Sequence, residues 1–211
     1  NTVSFSPNGA YALSGSNDNT VKLWEIDSGQ ELNTFTKHSS SVRSVAFSPN
    51  NRLALTGGGK TLRLWNVNTY QEIRSFSGHS SLVLSADFSP DGQYILSGSW
   101  DKTLKLWDVS SGNELRTYSE HSDLVRSVNF LPEGKHAVSG SADNTLKLWN
   151  ISTIKEIVES RVNDSVKVWQ QKGKYESTEQ YHQRLNEANK QKIVQSYFDK
   201  VINSLGRSRF V

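Results

Sequence analysis

The chain has 211 residues, of which 35% are hydrophobic and 21% are charged, a composition typical of a folded protein. It contains no cysteine, which excludes disulfide bonds, thiolate metal sites and a cysteine nucleophile, and favours a reducing, cytoplasmic location. No run of about 18 apolar residues occurs, so we expect no membrane span. The net charge is +3, but residues 1–150 carry 13 Lys and Arg against 14 Asp and Glu, so we expect no nucleic-acid binding.

One sequence motif returns four times, and each copy ends at a tryptophan followed by a polar and an apolar residue. The copies are SGSNDNTVKLWEI (14–26), TGGGKTLRLWNV (56–67), SGSWDKTLKLWDV (97–109) and SGSADNTLKLWNI (139–151). Their tryptophans, spaced 41, 42 and 42 residues apart, are Trp24, Trp65, Trp107 and Trp149. A histidine follows the first three after 14 residues, at His38, His79 and His121. A repeat of about 40–45 residues is typical of β-propeller blades.

Each unit contains four short segments of period-two alternation, separated by turn sequences. In the third unit these segments are 82–88, 93–99, 104–109 and 114–119. Alternation of this kind predicts half-buried strands and argues against helical repeats. We therefore predict an all-β fold, a partial propeller of four four-stranded blades that forms one domain over residues 1–159. The predicted blades are 1–36, 42–76, 83–118 and 125–159.

These units resemble WD40 repeats, and the resemblance covers residues 1–159. It implies that each blade holds a hydrogen-bonded set of one His, a Ser or Thr of the second strand, a turn Asp and the Trp of the third strand. A buried indole and a buried imidazole both need such partners. The implied sets are Ser14 or Ser16, Asp18 and Trp24; His38, Thr56 and Trp65; His79, Ser97 or Ser99, Asp101 and Trp107; and His121, Ser139 or Ser141, Asp143 and Trp149.

The second unit departs from this pattern, because its turn GGGK (57–60) lacks both the Asp and one residue. We expect this blade to be the least well held.

A Ser, a His and an Asp also suggest a catalytic triad, but a set that recurs with every Trp favours a structural role. His136 and His182 have no ligand partners at metal spacing, and no phosphate-binding or dinucleotide-binding motif occurs. We expect no catalytic residue, no metal and no cofactor.

The resemblance also implies that a protein partner binds one rim of the propeller, through variable positions in each unit. The predicted partner-binding residues are Ser41, Arg43, Leu82, Leu84, Trp100, Leu124 and Arg126, and Asn17 and Ala142 occupy further rim positions. Trp100 is a large apolar residue at a position where a polar one is expected, and Trp and Arg are enriched at interface hot spots. The alternative interpretation is that Trp100 packs on its own blade or on a neighbouring one.

Residues 160–211 depart from the repeat and are predicted to form a linker and an amphipathic helical tail. Ser177 and Gln180 match a capping box, and an apolar stripe at helical spacing runs from Val194 to Leu205. The stretch 168–185 is similar to a tail of bacterial multidomain proteins. The stripe either packs on the last blade or binds a partner.

Together these features predict a non-catalytic protein-interaction scaffold that is a segment of a larger bacterial protein. The alternative is a regulatory arm of a multidomain enzyme, a kinase or a protease whose catalytic domain lies outside this chain. The strand count predicts an open array, which exposes blade faces and allows self-association through the open blade ends. A truncated sequence or a partner that supplies the missing blades would explain such an array, and the alternative is a tight four-blade ring. The sequence starts in mid-pattern and without a methionine, as expected for part of a longer chain.

Overall fold

The computed structural model describes residues 1–151. The strands of this range are β1 (Thr2–Phe5), β2 (Tyr11–Gly15), β3 (Val21–Glu25), β4 (Glu31–Phe35), β5 (Val42–Phe47), β6 (Leu53–Gly58), β7 (Thr61–Asn66), β8 (Glu72–Ser77), β9 (Val83–Phe88), β10 (Tyr94–Ser99), β11 (Leu104–Asp108), β12 (Glu114–Tyr118), β13 (Val125–Phe130), β14 (His136–Ser141) and β15 (Leu146–Asn150). No residue of this range is helical. The predicted fourth strand of the last blade, the domain boundary at residue 159 and the helical tail over 160–211 lie outside the described residues.

The strands form four antiparallel sheets, in each of which the spatial order follows the chain. Sheet 1 contains β1–β4, sheet 2 contains β5–β8, sheet 3 contains β9–β12 and sheet 4 contains β13–β15. A new sheet begins at Thr2, Val42, Val83 and Val125, so the sheets repeat with the period of the sequence motif. This confirms the predicted all-β class and the partial propeller.

The turn between the first two strands of sheets 1, 2 and 3 is closed by a serine hydroxyl that the sequence places within the turn. In sheet 3, the Ser89 hydroxyl donates to the Asp91 carboxylate and accepts the backbone N–H of Tyr94 at 2.9 Å. Gly92 then takes a φ of 71°, a conformation that costs glycine little. Sheet 2 has Asn51 at this position, with a φ of 62°, and asparagine is one of the few other residues that adopt this conformation readily.

Apolar cores lie between successive sheets. We call the face of a sheet that packs on the following sheet its leading face, and the face that packs on the preceding sheet its trailing face. Between sheets 1 and 2, the buried residues are Leu13, Val21, Leu23 and Phe35 of the leading face and Val42, Val45, Phe47, Ala54, Trp65 and Val67 of the trailing face. The joints between sheets 2 and 3 and between sheets 3 and 4 have equivalent cores. Each core is therefore shared by two sheets, as in other repeat proteins.

Serine hydroxyl groups also join the first strands of neighbouring sheets. Ser44 Oγ in β5 accepts the backbone N–H of Ala86 at 2.8 Å, and Ser85 Oγ in β9 accepts the N–H of Val128 at 3.1 Å. The first strand is an edge of its sheet, so its outward backbone groups need partners from elsewhere. The preceding sheet supplies these partners.

Candidate interaction site

In sheet 3 the structure brings together the four residues of the implied set. Burial lowers the pKa of His79, so the ring is neutral at pH 7. His79 Nδ1 donates to Asp101 Oδ2 at 2.8 Å, because a carboxylate only accepts. His79 Nε2 must then accept the hydroxyl proton of Ser97, over 2.7 Å, and Trp107 Nε1 donates to the same Ser97 oxygen at 2.8 Å.

Sheet 4 contains the same network. His121 Nδ1 donates to Asp143 Oδ2 at 2.7 Å. Ser139 Oγ bonds His121 Nε2 at 2.7 Å and accepts Trp149 Nε1 at 2.7 Å. The serine hydroxyl again links the imidazole of the loop to the indole of the third strand.

The first serine of each SGS motif is the centre of the network, which decides between the two serines that the sequence left open. Ser97 and Ser139 bond the imidazole and the indole. Ser99 and Ser141 instead accept the backbone N–H of the turn aspartate, each at 3.1 Å. The second serine therefore shapes the turn.

Sheet 1 holds a smaller set. Trp24 Nε1 donates to Ser14 Oγ at 2.9 Å, so Ser14 and not Ser16 has the central position. Asp18 accepts the backbone N–H and the hydroxyl of Thr20, at 2.9 and 2.7 Å, and these bonds hold the pKa of Asp18 below its usual value. No histidine of residues 1–151 bonds this pair.

Sheet 2 lacks the carboxylate. Thr56 Oγ1 accepts Trp65 Nε1 at 2.9 Å and bonds His38 Nε2 at 2.7 Å. His38 Nδ1 is buried and has no side-chain partner among the described residues; only the nearby backbone of Gly58 acts on it, in a geometry too poor for a regular hydrogen bond. Burial, with the nearby charge of Arg63, lowers the pKa of His38 to about 4. Because an unpaired buried polar atom costs about 1–3 kcal/mol, this network stabilises its sheet less than those of sheets 3 and 4.

These networks join the loops to the strands through hydrogen bonds. Ser97 and Ser139 are buried at 0% and 1% exposure, so neither hydroxyl is accessible to a substrate in this structure. Asp101 also accepts the backbone N–H of Ser80 at 2.9 Å. This bond fixes the turn that carries Trp100 against the loop that enters sheet 3.

Three of the predicted rim residues, Arg43, Leu84 and Arg126, occupy one structural position in the first strands of sheets 2, 3 and 4. Each is the extra residue of a β-bulge, since the pairing between the first and second strands passes over it. A bulge turns its extra side chain out of the regular alternation. Arg43 and Arg126 are exposed and Leu84 is half-buried.

The loop residues of the predicted rim lie at the same edge of the sheets. Ser41, Leu82 and Leu124 directly precede the first strands of sheets 2, 3 and 4, and all three are half-buried. Asn17 is exposed in the turn between β2 and β3, and Ala142 is half-buried in the turn between β14 and β15. The start of a first strand pairs with the end of the second, so these loops and turns meet at one edge.

Trp100 lies in the turn between β10 and β11 and is 50% exposed. Its backbone N–H donates to the carbonyl group of Leu82 at 2.8 Å, and Ala142 donates to Leu124 in the same way at 2.9 Å. Among the described residues, the indole ring of Trp100 has no aromatic or cationic partner. Half of this side chain is therefore open to solvent on a turn whose backbone is fixed.

The sequence predicted open blade faces without assigning residues to them. Val3 and Phe5 are the exposed apolar residues of β1, and Leu146 and Leu148 are those of β15. The motif could not mark them, because the same residue types are buried in the other sheets. Within residues 1–151, no three His, Asp or Glu side chains cluster as a metal ion would require, and no helix there could cross a membrane.

A family-model comparison agrees with the repeat. The model described as "WD domain, G-beta repeat" matches four times, at residues 1–25, 29–66, 70–108 and 112–150. Each matched range ends within two residues of a motif tryptophan, which is the indole donor of its network.

Similar curated proteins come from fungi and animals. The chain is 46% identical over 44 residues to nuclear distribution protein PAC1-2 of Postia placenta, a match that covers 21% of this chain and 10% of that protein. It is 44% identical over 48 residues to nuclear distribution protein PAC1 of Mycosarcoma maydis, covering 23% and 11%. It is 44% identical over 54 residues to the ribosome biogenesis protein BOP1 homolog of Drosophila grimshawi, covering 26% and 7%. The chain thus matches about a tenth of each relative, and none supports the bacterial source predicted from the tail.

Proposed function

Because the chain belongs to the WD40 repeat family, whose domains mediate protein–protein interactions, we propose that it is a non-catalytic scaffold that binds a protein partner at its rim. The rim consists of Ser41, Arg43, Leu82, Leu84, Trp100, Leu124 and Arg126. The observation that carries the proposal is Trp100, a half-exposed tryptophan on a fixed turn.

The rigidity of the turn favours binding through Trp100. Asp101, the next residue, accepts from both the imidazole of His79 and the backbone of Ser80. A side chain on a turn that is already ordered loses less conformational entropy on binding than one on a mobile loop. Tryptophan on such a support is the residue type most enriched at hot spots.

The charges around the rim define the chemistry of the partner. Arg43 and Arg126 are exposed on either side of sheet 3, and neither makes an ion pair with the described residues. The partner that fits is a peptide segment with an apolar side chain to cover Trp100 and Leu82, flanked by carboxylates that accept from the two guanidinium groups.

Substitution of Trp100 tests the proposal. Trp100→Ala should weaken binding of a captured partner by more than 1 kcal/mol, a factor of about five or more, as expected of a hot-spot residue. The free energy of unfolding should change little, because half of the side chain is already in water. Affinity is measured by calorimetry with a partner isolated on the wild-type chain, and stability by thermal unfolding.

Leu115→Ala is the matched control, since Leu115 is an exposed apolar residue of the same sheet in the outer strand β12. It should leave the affinity unchanged. A partner that binds wild type and Trp100→Ala equally well would contradict the proposal. A loss of stability of several kcal/mol in Trp100→Ala would instead assign this residue to packing.

A further inference from the structure

Sheets 2 and 3 have a lysine at a turn position where sheets 1 and 4 have an asparagine. The position directly precedes the threonine at the entry to the third strand, and its residues are Asn19, Lys60, Lys102 and Asn144. Both lysines are exposed, and neither makes an ion pair with the described residues. Two unpaired charges therefore lie on neighbouring turns, at the edge of the sheets that carries the rim.

The backbone of Lys102 adopts a conformation that lysine rarely takes. Its φ is 70°, and the asparagines of sheets 1 and 4 have φ values of 73° and 64° at the same position. Asparagine adopts this left-handed region more readily than lysine does. A lysine in a conformation that suits asparagine better indicates a role for its charge.

Lys102 also joins sheet 3 to sheet 4. Its Nζ donates to the carbonyl oxygen of Ser122, in the loop that enters sheet 4, at 2.8 Å. An ammonium group has three donors, so this bond leaves two of them for a partner. The turn of sheet 3 thus contacts its own entry loop through Trp100 and the entry loop of sheet 4 through Lys102.

Lys60 lies in the shorter turn of sheet 2. This turn has two residues between the paired strands β6 and β7, and Gly59 has the positive φ, 61°, that the first residue of such a turn requires. The carbonyl group of Gly59 accepts the backbone N–H of Val83 at 2.7 Å. Because Val83 directly follows Leu82, the turn of Lys60 adjoins the loop that carries Leu82.

These backbone and side-chain bonds fix the order of the side chains along the rim. An apolar centre has two exposed cations on each side. The cations beside sheet 2 are Arg43 and Lys60, the apolar centre is Leu82 and Trp100, and the cations beside sheet 4 are Lys102 and Arg126.

The carboxylates of this edge do not balance the four cations. Asp101 and Asp143 already accept from histidines. Glu120 and Asp123 are exposed in the loop that enters sheet 4. Residues 152–211 carry 11 Lys and Arg against 7 Asp and Glu, so this segment does not complement the charge of the rim.

We propose that the partner of the rim is an acidic peptide segment with carboxylates on both sides of its apolar side chain, and that Lys60 and Lys102 select it. This inference rests on the proposed function and names two residues beyond those of the rim. Ammonium and guanidinium groups form charge-assisted hydrogen bonds with carboxylates. Complementary charges of this kind raise specificity and the association rate.

Two fluorescein-labelled synthetic peptides test the charge preference on the full 211-residue chain. In the first, a leucine and a phenylalanine lie between two runs of aspartate, and in the second every aspartate is replaced by asparagine. Fluorescence anisotropy at low salt should show the acidic peptide binding about tenfold tighter or more, and added salt should reduce this difference. Equal affinities, or no binding of either peptide, would overturn the inference.

Substitution of the lysines by the residue of sheets 1 and 4 tests their role. Lys60→Asn and Lys102→Asn should each weaken binding of the acidic peptide by about threefold to fivefold, and neither should change binding of the asparagine peptide. Lys102→Asn should not lower the thermal unfolding midpoint, because asparagine suits the backbone there. Arg52→Asn is the matched control, since Arg52 is an exposed cation at the opposite edge of sheet 2.

Unchanged binding in both lysine variants, or an equal loss for both peptides, would contradict the selection by charge. Single-stranded DNA of the same net charge is the second probe. If it binds as tightly as the acidic peptide, the rim binds polyanions in general and the inference is wrong.

Trp100→Ala separates this inference from the proposed function. The substitution should weaken both peptides by the same factor, because the apolar contact is common to them. If Trp100→Ala weakens both peptides but wild type binds them equally, the rim function stands and the charge selection fails. If Trp100→Ala weakens neither peptide, the proposed function fails, and the inference fails with it.

Discussion

Sheets 2 and 3 build the same network on turns of different length. The hydroxyl and the indole that it bonds are nine residues apart in sheet 2, from Thr56 to Trp65, and ten in sheet 3, from Ser97 to Trp107. The longer turn contains Asp101, which accepts from the histidine of its sheet. The shorter turn of sheet 2 contains no carboxylate side chain.

The comparison of sheets 2 and 3 divides the network into two halves, one at the imidazole Nε2 and one at Nδ1. The half formed by the imidazole Nε2, the hydroxyl and the indole is held by the strands, and it has the same geometry in both sheets. The half at Nδ1 is held by the aspartate of the turn, and in sheet 2 this aspartate is missing, so the buried His38 Nδ1 has no carboxylate partner. The hydroxyl group on the second strand is therefore enough to bind Nε2 of the loop histidine, and the turn aspartate adds the partner of Nδ1.

Removal of the central hydroxyl should have the largest effect on the free energy of unfolding, and this effect should be equal in sheets 2 and 3. Ser97→Ala leaves Trp107 Nε1 and His79 Nε2 unpaired inside the core, at a cost of about 3 kcal/mol in the free energy of unfolding. Thr56→Val keeps the shape of the side chain and removes the same two bonds in sheet 2, so it should cost as much. Urea unfolding measures both.

Ser99→Ala is the control in sheet 3, because its hydroxyl is also buried but accepts only one backbone N–H. Its expected cost is about 1 kcal/mol. If Ser99→Ala and Ser97→Ala cost the same, Ser97 is not the centre of the network.

The titration of His38 should distinguish sheet 2 from sheet 3. The folded pKa of His38 is about 4, below the value of about 6.5 for an unfolded chain, so the unfolded state binds the proton first as the pH falls. The contribution is fully present above pH 6.5 and is lost as the pH falls from 6.5 to 4, a decrease of about 3 kcal/mol. His38→Gln should remove this part of the pH dependence. Denaturation at several pH values gives the slope, and NMR titration of the imidazole gives the pKa.

A His38 pKa above 6 would mean that Nδ1 has found a partner or solvent, and it would contradict the contrast between the sheets. The histidine of sheet 3 provides the reference. Burial lowers the pKa of His79 as well, but the Asp101 carboxylate opposes that shift. Asp101→Asn should therefore move the pKa of His79 further down and steepen the dependence of stability on pH.

The period of the motif was sufficient to predict the strands and their order in each sheet, and the resemblance to WD40 repeats supplied the members of each network. It could not decide between Ser97 and Ser99, because residues two apart in a strand lie on the same face. Only the register, in which Ser97 faces Lys105 and Ile95 faces Trp107, brings the indole to one hydroxyl and not the other. The alternation of residues within one strand does not determine how that strand pairs with the next.

The sequence pattern could also not predict which residues a neighbouring sheet buries. The strands that contain Leu106 and Leu148 have the sequences LKLWD and LKLWN, yet the first leucine is buried and the second exposed. The leucines and their neighbours in the strand are the same, but sheet 4 covers Leu106, whereas no sheet of residues 1–151 covers Leu148. The serine bridge of Ser44 was missed for the same reason, since its partner is in another sheet.

At the last residue of the second strand, opposite substitutions should be destabilising in sheets 2 and 3. A Cβ on Gly58 would lie 2.7 Å from His38 Nδ1 and 3.1 Å from the carbonyl oxygen of Ser40, because the shorter turn brings the backbone onto the ring. Gly58→Ala should therefore cost about 2 kcal/mol by overpacking. The equivalent Ser99→Gly should cost about 1 kcal/mol, since it loses one hydrogen bond and gains backbone freedom. Urea unfolding compares them, and a neutral Gly58→Ala would mean that the His38 ring can move away from the turn without loss.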